Sequence, residues 1–87
     1  MENKKILAEV VCPATSRTYD FVLEAGMTAG SALKKIAAEI INYERMDMLF
    51  SDIGSAELFC DESELPLAED ITLDEYGITS GSRLMII

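Results

Sequence analysis

Eighty-seven residues, 49% of them hydrophobic, suit one small domain of residues 1–87 whose single core closes without disulfides or metal. The net charge of −9 is uneven: residues 1–45 carry six basic and six acidic side chains, while residues 46–87 carry ten acids against Arg83 alone. That acidic half argues against nucleic-acid binding, and no apolar run reaches the roughly 18 residues a membrane span needs.

The opening Met1-Glu2-Asn3-Lys4-Lys5-Ile6 soon meets Ala8-Glu9, so it lacks the apolar block of a signal peptide and a cytoplasmic protein is expected. Lys5 to Cys12 reads as a strand. Ile6, Ala8, Val10 and Cys12 share one parity, and Lys5, Leu7, Glu9 and Val11 the other. Pro13-Ala14-Thr15-Ser16 is turn chemistry. Arg17 to Glu24 alternates again, with Tyr19, Phe21 and Leu23 on one face and Thr18, Asp20, Val22 and Glu24 on the other. Together the two strands predict a hairpin with one apolar face.

Thr28 has the hydroxyl of a helix N-cap. Beyond it, Ala29, Ala32, Leu33, Ile36, Ala37 and Ile40 recur at helical spacing, with Lys34, Lys35 and Glu39 opposite, and predict a helix over residues 29–43. Residues 44–54 fit either a short helix or an apolar loop. Glu57 to Cys60 reads as a third strand, with Leu58 and Cys60 inward, and Asp61-Glu62-Ser63-Glu64 as an acidic turn. Leu65-Pro66-Leu67 fits only a brief edge segment, because proline forfeits a ladder bond. Ile71, Leu73, Tyr76 and Ile78 are expected to cover one end of the core, and Arg83 to Ile87 to form the last strand. The order ββαββ predicts an α+β fold of the β-grasp type, a mixed sheet with one main helix across one face. Its first and last strands lie centrally and parallel.

Three segments carry a resemblance. Thr18 to Ile40 resembles ubiquitin without a gap, as do the turn from Thr72 to Ile78 and the closing apolar strand. Residues 41–56 are longer and less regular than ubiquitin's equivalent. Within ubiquitin-like proteins the chain is similar to the bacterial YukD/EsaB group. The shared features are Thr18-Tyr19-Asp20 at the start of the second strand and the Ser80-Gly81-Ser82 turn before a final apolar strand. That resemblance implies a small cytosolic component of type VII secretion in Gram-positive bacteria that acts without conjugation.

The chemistry-bearing residues narrow the function. There is no histidine, so neither a Ser–His nor a Cys–His couple can be built. The acid pairs Asp61/Glu62 and Asp74/Glu75 fall in predicted turns, where water keeps both members ionised. No glycine-rich phosphate cradle is present. Cys12 and Cys60 form no CxxC pair and sit in apolar runs, as buried free thiols do, with a disulfide between them as the alternative reading. The expectation is a protein without catalytic activity, cofactor or metal.

Recognition of a protein partner remains. In the last strand Leu84 and Ile86 have core parity, which turns Met85 and Ile87 outward, and in the third strand Phe59 faces out. By the resemblance, these positions lie on the sheet face through which ubiquitin-like proteins contact partners, and Leu7 on the neighbouring first strand extends the patch. The resemblance makes the cytosolic domain of a secretion-machine component the expected partner. The competing reading of the patch is that residues 44–54 fold over it. Two other functions compete with recognition. A sulfur carrier or covalent modifier needs a processed or extended C-terminus that exposes glycine where Met85-Ile86-Ile87 stands. An acidic mimic of nucleic acid would inhibit a DNA-binding protein, and its binding would weaken steeply with salt.

Overall fold

The computed structural model describes residues 4–45, 56–60 and 65–87. Strand β1 (Lys5–Cys12) pairs antiparallel with β2 (Arg17–Glu24) along its whole length, from Lys5 opposite Glu24 to Cys12 opposite Arg17. The turn between them closes through Thr15 N–H to Cys12 C=O at 3.2 Å and places Ser16 at φ 58. Helix α1 (Ala29–Glu44) follows, then β3 (Leu58–Cys60) and β4 (Arg83–Ile86). The sheet order is β2-β1-β4-β3, with β1 and β4 parallel and β3 antiparallel to β4. This is the expected β-grasp, with its first and last strands adjacent at the centre.

One face of the sheet and one stripe of the helix make the core. Ile6, Ala8, Val10 and Cys12 from β1, Phe21 and Leu23 from β2, Leu58 from β3, and Leu84 and Ile86 from β4 are all buried. Against them the helix buries Ala29, Ala32, Leu33, Ile36, Ala37 and Ile40, the residues its 3.6 period brings to one side. Each fully buried aliphatic side chain contributes about 1.5–3 kcal/mol relative to exposure.

Local chemistry fixes the helix ends. The Thr28 hydroxyl accepts the Ser31 N–H at 3.2 Å. The Ala29 and Gly30 N–H groups, orphaned by their place in the first turn, donate to Ile71 C=O at 2.8 Å and Glu69 C=O at 3.0 Å. That contact explains the glycine, since a Cβ at residue 30 would lie 3.0 Å from the Glu69 carbonyl oxygen. Arg45, in the left-handed region at φ 56, ends the helix by donating its N–H to Ile41 C=O. At the same end the Tyr19 hydroxyl donates to Glu44 Oε2 and lies 2.8 Å from Thr15 Oγ1, which ties the helix to the hairpin. Burial first, and then the Glu44 carboxylate, raise the Tyr19 pKa above its ordinary 10.0.

Several local expectations are corrected. The helix extends to Glu44 rather than 43, and β3 begins at Leu58 rather than Glu57. Leu65 to Leu67 form no strand; the segment gives β3 one bond, Leu67 N–H to Leu58 C=O at 2.8 Å. Leu73 and Ile78 do close one end of the core. Tyr76 does not, being 39% exposed with its phenol oxygen accepting the Ala68 N–H at 2.6 Å, and Ile71 is only half-buried. The polar tip of Tyr76 finds its partner on the surface, so the ring follows it outward. Both cysteines are free thiols, with Cys12 buried and Cys60, at the end of its strand, only half-buried. The acidic turn at residues 61–64, and residues 46–54 of the helix or loop expected over residues 44–54, lie outside the described residues.

Candidate functional site

The side of the sheet turned away from the helix is built by the residues that alternate with the core. Its central row is read directly from the register. Val11 of β1 stands opposite Met85 of β4, and Met85 stands opposite Phe59 of β3. All three are half-buried. Beyond them Ile87 exchanges both backbone hydrogen bonds with Glu57, at 2.8 and 2.9 Å, and is 59% exposed. Pairs of this kind across adjacent strands contribute roughly 0.2–1 kcal/mol each, so the row stabilises the sheet as well as presenting a surface.

A polar row bounds this apolar one. Glu9 lies opposite Arg83, and their side chains form an ion pair at 3.1 Å, both partly exposed. The last cation of the sequence thus neutralises a carboxylate on the central strands. Screening by solvent limits such a pair to about 0–1 kcal/mol. Asp20 of β2 continues the row on the far side of Glu9.

Leu7 stands apart from Met85 and Phe59. It is 52% exposed and pairs with Val22, itself 53% exposed. On its other side the backbone meets the loop before β4: Gly81 N–H donates to Leu7 C=O at 2.9 Å, and Leu7 N–H donates to Ser80 Oγ at 3.1 Å. The Glu9–Arg83 pair therefore separates two apolar patches, Val11–Met85–Phe59–Ile87 and Leu7–Val22. Sequence reasoning gave Val11 and Val22 their outward parity without assigning either to the site. Only the strand register reveals which outward residues become neighbours.

A shallow cleft of about 540 Å³ adjoins this face, lined by Glu9, Arg83, Cys60, Tyr76 and Gly77 among others. Its cation is already engaged by Glu9. Among the described residues no group of three or more His, Cys, Asp or Glu side chains is placed to hold a metal ion, and no helix is long and apolar enough to cross a membrane.

Comparison with solved structures defines the class of fold. The chain is similar to the ubiquitin-like domain of the Mycobacterium tuberculosis type VII secretion system protein EccD1, with a TM-score of 0.71 and 22% identity over 97% of this chain and 98% of that one. A ubiquitin-like domain from Arabidopsis thaliana gives a TM-score of 0.67 and 26% identity, covering 97% of this chain and 77% of that one. The UBL domain of Plasmodium falciparum Dsk2 gives 0.70 and 14%, covering 95% and 96%. The fold is ubiquitin-like. No family model and no curated protein matches the chain.

Proposed function

We propose that this chain is a non-enzymatic, cytoplasmic ubiquitin-like adaptor that binds a protein component of a type VII-like secretion machine. The observation that carries the proposal is the in-register apolar row Val11–Met85–Phe59, extended by Ile87, on the face opposite the helix. Grouped apolar side chains on one sheet face are a common mark of an interaction site, and Met and Phe are enriched where partners bury surface. Likeness to the EccD1 domain supports the choice of machine. Leu7 belongs to the same face as a second, smaller contact beyond the Glu9–Arg83 pair.

The mechanism is recognition. Binding covers the apolar row, and the acidic residues around it steer the approach of the partner. Affinity that rests on the apolar row depends weakly on salt, whereas a nucleic-acid mimic loses affinity steeply. The test is a titration of the isotope-labelled chain with the cytosolic domains of a type VII secretion machine. Amide shifts at Val11, Phe59, Met85 and Ile87 are expected. Shifts confined to the exposed side of α1, or none with any of those domains, would overturn the proposal.

A further inference from the structure

Among the described residues, the backbone bonding of β2 leaves an edge open for pairing. On β1, Leu7 C=O accepts from Gly81 and Glu9 N–H donates to Ser82 C=O, so the odd-numbered residues of β1 bond toward the β4 side. Its even-numbered residues therefore bond to their partners on β2, which are the odd-numbered ones from Arg17 to Leu23. Thr18, Asp20 and Val22 consequently direct both N–H and C=O away from the sheet. The Lys35 ammonium confirms that direction, because it reaches across from α1 to donate to Val22 C=O at 3.3 Å. Outside the β1–β2 ladder, and among the described residues, the backbone of Thr18 and Asp20 makes no hydrogen bond and Val22 accepts only that one.

Side-chain chemistry along this edge selects what can pair with it. The row through Asp20 runs acid, acid, base: Asp20, Glu9, then Arg83. Arg83 is engaged by Glu9, and Asp20 has no cation among the described residues. Carboxylates directly opposite each other repel, and a cation on the open side of Asp20 would relieve that. The flanking rows begin at exposed Val22, beside Leu7, and at exposed Thr18, beside Val11. The same chemistry disfavours a second copy of this strand. Antiparallel self-pairing centred on Val22 sets Asp20 against Glu24, centring on Asp20 sets Asp20 against itself, and centring on Phe21 sets Asp20 against Val22.

We propose that β2 takes up an extended peptide as a fifth, antiparallel strand. The peptide reads apolar–x–Lys/Arg–x–Thr/Val, so that its apolar residue meets Val22, its cation meets Asp20 and its third residue meets Thr18. Main-chain bonds to the three outward residues supply affinity, and the alternate side chains supply selectivity. Lys35 acts as a gatekeeper: its ammonium occupies Val22 C=O and repels a cationic peptide until displaced. The site lies at the edge of the sheet, distinct from the Val11–Met85–Phe59 row.

The test uses the capped peptide Ser-Val-Thr-Lys-Thr-Thr-Ser, titrated into the isotope-labelled full chain to about 5 mM, a ceiling that reaches weak complexes. Thr18, Asp20 and Val22 amides are expected to shift and to gain protection from hydrogen exchange, while those of Tyr19, Phe21 and Leu23 keep theirs. Asp20→Lys, an exposed change whose fold is checked by the amide spectrum, should weaken binding about tenfold and make the peptide with Glu in place of Lys the better ligand. Lys35→Ala should tighten binding about twofold. No binding at the ceiling overturns the proposal, as does binding without protection of the three amides or with shifts confined to Val11, Met85 and Phe59. Protection of the same amides by self-association, rising with chain concentration before any peptide is added, would assign the edge to a second copy and overturn it too.

Discussion

The two faces of one sheet contrast in this molecule. On the helix side, Ile6, Val10, Leu23, Leu84 and Ile86 are sealed from solvent; one residue along on the same strands, Leu7, Val11, Val22 and Met85 remain partly or largely accessible. Strand periodicity of two lets one backbone serve both purposes at once. The inner face is therefore bound to stability, while the outer face is free to vary its chemistry with little effect on folding.

The strongest challenge to that division is removal of a sealed residue. Leu84→Ala should destabilise the fold by about 2–5 kcal/mol, measured by chemical denaturation, because the cavity lies between β1, β3 and α1 where collapse is hindered. Its neighbour provides the opposite result. Met85→Thr should leave stability within about 1 kcal/mol, yet weaken binding of the secretion-machine domain about tenfold or more. Equal losses of stability from the two substitutions would break the comparison. A third change isolates the helix terminus, which belongs to neither face: Thr28→Ala should cost about 1 kcal/mol through loss of the cap to Ser31.

Smaller effects sharpen the outer face. A double-mutant cycle of Glu9→Gln and Arg83→Met should give a coupling of about 0.2–1 kcal/mol that fades with salt. Tyr19 gives a pH prediction on the alkaline limb. Tyr19 keeps its proton more tightly when folded, first through burial and then through Glu44. A folded pKa above the unfolded value gives stabilisation that is complete below the unfolded pKa and is lost as pH rises through the folded one. Stability should therefore fall above about pH 10 from this residue. Glu44→Gln should move the Tyr19 absorbance titration downward, toward ordinary tyrosine.

Much of the architecture was legible because it is local. Alternation gave both long strands to the residue, the Thr28 cap gave the start of α1, and the Ala29–Ile40 stripe gave its buried face. The errors fell where partners are distant. Tyr76 has an apolar ring and a polar tip, and its exposure depends on the Ala68 N–H that captures the hydroxyl. Cys60 has core parity but sits at a strand end, where parity no longer ensures cover. Leu7 was outward by parity, but its separation from Met85 follows from the β1–β4 register, set by contacts between residues more than seventy positions apart.

The sequence by itself determined the α+β class, the order of elements and which side of each long strand turns inward, because burial enforces a period at short range. Tertiary structure alone decided which outward residues adjoin, that Glu9 rather than another acid meets Arg83, and that Val11 joins Met85 and Phe59. Those are matters of register between strands distant in the chain. Register depends on how the hairpin, helix and closing loop fit together in space, and no local pattern encodes it.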